Sequence, residues 1–220
     1  MKLLLTSGGI TNKSIAKALF ELVGKKPEET TLAFIPTAAN VGSSDKGWLI
    51  DDLYNLKQQN LKSIDIVDIS ALPEKVWLPR LEAADILFFS GGDTSHLMNW
   101  LEKSGLAKLL PDLLKTRVYA GISAGSIVAA PSLALSSKDK QLYYEKEFGY
   151  KNEKALGFVN FHIRPHFNSP EFPNVRKEIL QEVAKEIKEP IYVLDDQSAL
   201  KVVDEKVEVV TEGEYVVFNK

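Results

Sequence analysis

Five short apolar runs, at residues 3–6, 31–36, 63–69, 86–90 and 118–121, alternate with longer amphipathic segments, and this alternation narrows the fold most. Short, mostly apolar runs suit strands of a parallel sheet covered on both faces. Between the first two runs, Lys13–Val23 carries Ile15, Ala18, Leu19 and Leu22 on one helical face and stops at Gly24. A second helix is expected over 44–59, and another over 174–187, where Val175, Ile179, Leu180 and Val183 face inward. Four late β segments, Ile191–Leu194, 199–203, 206–210 and Tyr215–Phe218, close the chain. The last two flank a Glu212-Gly213 turn signal, which predicts an antiparallel edge. The expected class is α/β: an open, mostly parallel sheet with helices on both faces, in one domain over residues 1–220, since no linker or repeat divides the 220 residues.

Composition removes several functions. The 27 Lys and Arg are balanced by 30 Asp and Glu, without the clustered basic face that neutralising nucleic-acid phosphates requires. Absence of Cys excludes disulfides, thiolate nucleophiles and Cys-ligated zinc. No apolar stretch reaches the roughly 18 residues of a membrane span, and the apolar run at 3–6 is too short for a secretory leader. A soluble, cytoplasmic protein without nucleic-acid or membrane partners is expected.

The chemistry concentrates at Gly121-Ile122-Ser123-Ala124-Gly125, directly after the fifth apolar run and directly before the apolar stretch 126–130. Strand, tight turn and helix in that order make a nucleophile elbow, in which glycines permit the turn and the Ser hydroxyl is raised at the C-terminal edge of the sheet. A second glycine turn, Ser90-Gly91-Gly92-Asp93-Thr94, ends the fourth run. Such turns gather where open α/β sheets bind ligands, so an N–H of Gly91 or Gly92 could join that of Ala124 in an oxyanion hole. Three His can serve as the base: His96 early in a helix, His162 within an apolar run, and His166 in Arg164-Pro165-His166-Phe167-Asn168. His166 suits the role best, because it enters a loop after a strand and Pro165 stiffens its backbone.

Taken with the opening Leu-Thr-Ser-Gly-Gly, Phe34 to Ala38, Phe89 to Thr94, Pro165 to Phe167 and Leu194-Asp195-Asp196-Gln197-Ser198-Ala199-Leu200, the chain resembles the aspartyl dipeptidase (dipeptidase E) and cyanophycinase family of serine peptidases. The resemblance implies a flavodoxin-like, class I glutamine-amidotransferase-like fold. It implies Ser123 as nucleophile, His166 as base and then acid, Gly91 or Gly92 with Ala124 as oxyanion donors, and a small peptide with an aspartyl residue as substrate. No metal or organic cofactor is implied. The family places a Glu where this chain has Asp196, and Asp139, in the segment after the elbow, is the rival acid. An N-terminal aspartate on the substrate would call for a guanidinium, for which Arg176 stands first and Arg164 second. Two other readings stay open: an α/β-hydrolase-type esterase using Ser123, Asp139 and His166 in that order, and a non-catalytic, amidotransferase-like ligand-binding domain. Oligomeric state is not legible in the sequence.

Overall fold

A computed structural model describes residues 1–151 and 153–220. The first five apolar runs form β1 (Lys2–Thr6), β2 (Thr31–Ile35), β3 (Ser63–Ile66), β4 (Ile86–Phe89) and β5 (Val118–Ile122). With β8 (Ser198–Val203) and β9 (Lys206–Thr211) they make one sheet in the order β3-β2-β4-β5-β1-β8-β9. The pairs from β3 through β1 are parallel, while β8 runs antiparallel to both β1 and β9.

Successive strand residues point to opposite faces, and each face is apolar. Leu4, Phe34, Phe88 and Ala120 pack under α1 (Lys13–Val23) and α2 (Gly47–Lys57). Their chain neighbours Leu3, Leu5, Ala33, Leu87, Phe89 and Tyr119 pack on the other face. There they meet α3 (Glu74–Glu82), α4 (Thr94–Lys103), α5 (Leu106–Leu113) and the short α6 (Ala124–Ile127). Helices α3 and α5 lie outside the sequence reading; each carries an internal proline, Pro79 or Pro111, which weakens a helical pattern. The polar stretch after the elbow holds α7 (Lys138–Phe148), capped by the Ser137 side chain.

The C-terminal strands divide between two sheets. The turn at Glu212-Gly213 does not close a hairpin between β9 and β10 (Tyr215–Phe218). Instead β10 crosses to β7 (Ile191–Leu194), which also pairs with β6 (His162–Arg164), making a separate three-stranded sheet. Side chains of Leu135, Phe167, Val175, Leu180, Ile191 and Val193 pack it against α8 (Lys177–Ala184) in a third apolar cluster. The crossing is anchored by Asp195, whose carboxylate accepts hydrogen bonds from the Glu214 N–H at 2.6 Å and the Ser198 hydroxyl at 2.5 Å. Among the described residues no helix is long and apolar enough to cross a membrane.

Where β5 meets α6 the backbones touch. A Cβ on Gly125 would stand 2.4 Å from the Phe89 carbonyl oxygen, and one on Gly121 would stand 2.5 Å from the Gly125 carbonyl carbon. Gly24, by contrast, ends α1 at φ 74° with nothing within 4 Å of its Cβ position. Gly125→Ala is therefore expected to cost about 3 kcal/mol or more through overpacking against backbone. Gly24→Ala is expected to cost only about 1 kcal/mol of left-handed strain, roughly 2–4 °C in melting temperature for a chain of this size. Thermal unfolding of the two variants side by side checks the difference.

Candidate active site

The candidate site lies along the C-terminal edge of the parallel strands. Ser123 directly follows β5 at φ 45° and ψ −100°, a conformation that a residue with a side chain rarely adopts. Its surroundings hold it there. The Ser123 N–H donates to the Thr6 carbonyl at 3.1 Å, and its own carbonyl accepts from the N–H groups of Ser126 and Ile127. Next to it, the Gly125 N–H donates to Ser90 and the Tyr119 hydroxyl donates to the Gly125 carbonyl. The Ser126 hydroxyl reaches the carbonyls of Thr6 and Gly121. Strands β1, β4 and β5 thus fix the elbow from three sides.

His166 follows β6 and Asp196 follows β7, so the small sheet supplies both partners of the serine. His166 Nε2 lies 2.9 Å from Ser123 Oγ, and His166 Nδ1 lies 2.7 Å from Asp196 Oδ1. Ser7, at the end of β1, ties the group to the main sheet: its hydroxyl accepts from the His166 N–H at 2.8 Å and donates to Asp196 Oδ1 at 2.7 Å. The imidazole also stacks on Phe172, with centroids 4.1 Å apart and planes at 6°. Burial pushes the Asp196 carboxyl up, but the hydrogen bonds from His166 and Ser7 and the His166 charge outweigh it and hold the group below its ordinary value. An ionised carboxylate only accepts, so Nδ1 donates to Asp196, and when Nε2 carries no proton it accepts from the Ser123 hydroxyl.

The other sequence candidates take different places. His96 is buried and pairs through Nδ1 with the Tyr144 hydroxyl at 2.9 Å, joining α4 to α7. His162 is buried in β6, 3.9 Å from Glu189. Asp139 stands exposed in the first turn of α7 and is not brought to His166, which leaves the order Ser123, Asp139, His166 without a geometric basis. Gly91 lies beside the serine, its Cβ position 3.7 Å from Ser123 Cβ, and Gly92 adopts φ 134° against the Ala38 carbonyl. Among the described residues no group accepts from the N–H of Gly91, Gly92 or Ala124, leaving three donors free near Ser123.

Beside Ser123 and His166 lies a cleft of about 250 Å³ whose walls include Thr94, Ile127, Lys140, Arg164, Glu171 and Phe172. Arg164 belongs to this wall; burial pulls its guanidinium below the ordinary range, and it donates to the Leu135 carbonyl at 2.8 Å. Arg176 stands outside it. Its guanidinium donates to the carbonyls of Ser169, Phe172 and Val175, each at 3.0 Å, and so braces the loop carrying Phe172. The sequence assigns no role to Ser7 or Phe172. Ser7 had a signal in the Ser-Gly-Gly turn that ends β1, whereas nothing local marks Phe172. Among the described residues no three His, Asp or Glu side chains group to hold a metal ion.

Asp52, on α2, is a further charge that the sequence does not disclose. Its Oδ1 lies 3.2 Å from the Cβ position of Gly9, while Asp196 Cβ lies 2.9 Å from that of Gly8, so the Gly8-Gly9 turn passes between two carboxyl groups. Burial, with the charges of Asp51 and Asp196, pushes Asp52 up from 3.8 to about 7. Between roughly pH 4 and 7 the folded chain then holds a proton that the unfolded chain has lost, so stability falls as pH rises through that window. Asp196 acts oppositely, since its lowered value contributes stability that is lost only as the pH falls below the ordinary carboxylate range. Asp52→Asn is expected to gain melting temperature over wild type at pH 8 relative to pH 5. Thermal scans at the two pH values test this, and an unchanged difference refutes it.

The model of peptidase family S51 matches residues 3–210. A peptidase E of Streptomyces coelicolor is 28% identical over 181 residues, covering 79% of this chain and 72% of that protein. An uncharacterised peptidase of Listeria monocytogenes is 27% identical over 176 residues, covering 77% and 80%. In fold, the chain is similar to a solved L. monocytogenes structure provisionally named peptidase E, with a TM-score of 0.77, 24% identity and coverage of 96% and 98%. A peptidase structure from an acI-B1 Actinobacterium gives a TM-score of 0.65 at 19% identity, covering 99% and 96%. With a family match that takes in nearly the whole chain, this protein belongs to peptidase family S51 and is a serine-type peptidase.

Proposed function

We propose that the chain hydrolyses small peptides, dipeptides with an N-terminal aspartyl residue among them, through an acyl-enzyme on Ser123. The observation that carries this reading is the continuous hydrogen-bonded series from Asp196 through His166 to Ser123. His166 Nε2 takes the proton of the Ser123 hydroxyl as Oγ bonds to the scissile carbonyl carbon, and Asp196 stabilises the imidazolium that results. The carbonyl electron pair moves onto oxygen, where the free N–H groups of Gly91 or Gly92 and Ala124 receive it. On collapse the C–N bond breaks, and Nε2–H gives its proton to the leaving amine. Water, deprotonated by the same nitrogen, then releases the acid and restores the serine. Asp196 is one carbon shorter than the family's Glu, and Ser7 supports the shorter side chain by bonding both Asp196 Oδ1 and the His166 backbone.

In the cleft, Arg164 is the partner we assign to the acidic side chain of the substrate, with Lys140 on the same wall. Arg176 is not assigned that role, because its donors are already engaged by loop carbonyls.

Hydrolysis of a dipeptide panel, beside labelling by a fluorophosphonate probe, tests the reading. Ser123→Ala should lose both activities while keeping its melting temperature, and wild-type turnover in that variant would end the proposal. Asp196→Asn should lose several hundredfold or more in kcat, since an amide in this place holds the imidazole in the wrong tautomer. Asp139→Asn should lose less than about tenfold. For specificity, Arg164→Met should raise KM for Asp-Xaa substrates well above any change for Ala-Xaa. An equal rise for both would remove Arg164 from substrate recognition.

A further inference from the structure

Ser123 has a second flank that the cleft does not include. The Cβ position of Gly91 is met by Ser123 Cβ at 3.7 Å and by Trp48 Cζ3 at 3.6 Å. The indole edge and the nucleophile's Cβ thus both lie in van der Waals reach of the one space that Gly91 leaves open. Trp48 is 37% exposed, so part of its indole is open to solvent near the nucleophile. Two residues earlier, Lys46 places its ammonium 5.9 Å from the ring centroid of Trp48. Among the described residues its one other polar contact is with the Ser44 hydroxyl at 3.5 Å, and no carboxylate pairs with it. The neighbouring Asp45 turns instead to the Gly47 N–H.

A peptidase must hold the substrate on both sides of the scissile bond. On the cleft side the wall carries Arg164, Lys140 and Phe172. On the Gly91 side stands the partly exposed indole of Trp48, with the Lys46 ammonium 5.9 Å from its centroid. A single amino acid released as the amine carries its α-carboxylate one residue, about 3.8 Å from Cα to Cα, beyond the acyl residue. A side chain against the indole and a carboxylate against the ammonium is what such a residue offers. Lysine, a compact charge on a flexible stem, suits an end group whose exact direction varies from one side chain to another.

We propose that Trp48 and Lys46 form the subsite for the residue released from the substrate, with the Lys46 ammonium pairing with its free α-carboxylate. The proposal rests on the acyl-enzyme reading of Ser123 and assigns to these two side chains the recognition of a single residue after the scissile bond. Longer peptides would carry their carboxylate past Lys46, and C-terminal amides would present no charge to it.

The test compares kcat/KM for an Asp-Leu dipeptide, its C-terminal amide and the Asn-Leu dipeptide, with wild type, Lys46→Gln, Lys46→Arg and Trp48→Ala. Fluorophosphonate labelling of Ser123 establishes that each variant has an assembled site. Wild type should prefer the free acid over the amide by about tenfold or more, the range of a hydrogen bond to a charged group. Lys46→Gln should bring that ratio close to one through a higher KM for the acid, Lys46→Arg should keep most of it, and Trp48→Ala should raise KM for acid and amide alike. Equal rates on acid and amide in wild type, or an unchanged ratio in Lys46→Gln, overturn the proposal. Loss of the Asp over Asn preference in Lys46→Gln, with the acid to amide ratio intact, also overturns it, by placing the ammonium at the acyl residue. A wild type that takes no label and cleaves no peptide overturns the Ser123 reading, and this subsite falls with it.

Discussion

Contact of backbone on backbone at the end of β5 is the constraint on which the rest depends. Gly121 and Gly125 leave no room for a Cβ, so α6 starts directly against β4 and the turn from β5 into α6 closes around Ser123. The strained dihedrals of Ser123 persist because bonds from Thr6, Ser90, Tyr119 and Ser126 surround the turn. Strain held in this way is common at reactive positions, where the neighbouring structure determines the backbone more strongly than the residue's own preference. The same contact leaves the Ala124 N–H at the start of a helix without an internal acceptor, which makes it available to a developing negative charge.

The partners of the serine come from a different body of structure. His166 and Asp196 both follow strands of the three-stranded sheet, so their separation is set by the parallel pairing of β6 and β7 and not by chain proximity. Ser7 then couples that sheet to the main one, since a single hydroxyl serves the His166 backbone and the Asp196 carboxylate together. Phe172 limits the imidazole from its face, and Arg176 holds the loop on which Phe172 sits. An arginine read as a candidate for substrate thus acts on the position of the base.

Electrostatically the site is asymmetric. Asp196 is kept ionised by the donors around it, whereas Asp52 across the Gly8-Gly9 turn is surrounded by negative charge and burial and holds its proton to near neutrality. Two carboxyl groups of the same kind therefore differ in charge over the same pH range, because their environments and not their chemistry set the balance.

Elements whose signals are local were legible in the sequence. The five parallel strands, α1, the elbow at Ser123 and the glycine turn at Gly91 and Gly92 each lie within a few residues of their own cause: an apolar run, a helical stripe, or a glycine that a tight turn requires. The order of the strands was not, and β10 shows why. Its pairing with β7 and not β9 is decided by the Asp195 bonds to Glu214 and Ser198 and by the apolar cluster over α8, all contacts between distant segments. The choice between Asp196 and Asp139 had the same character. The resemblance favoured Asp196 with Asp139 as the rival, but it is the register of the small sheet that brings the Asp196 carboxylate within 2.7 Å of His166. Trp48, Lys46, Asp52 and Phe172 carried no motif at all, since their significance comes from what the fold sets beside them. A chain records its turns and periods residue by residue, but a site assembled from five strand ends exists only once long-range packing has fixed their separation.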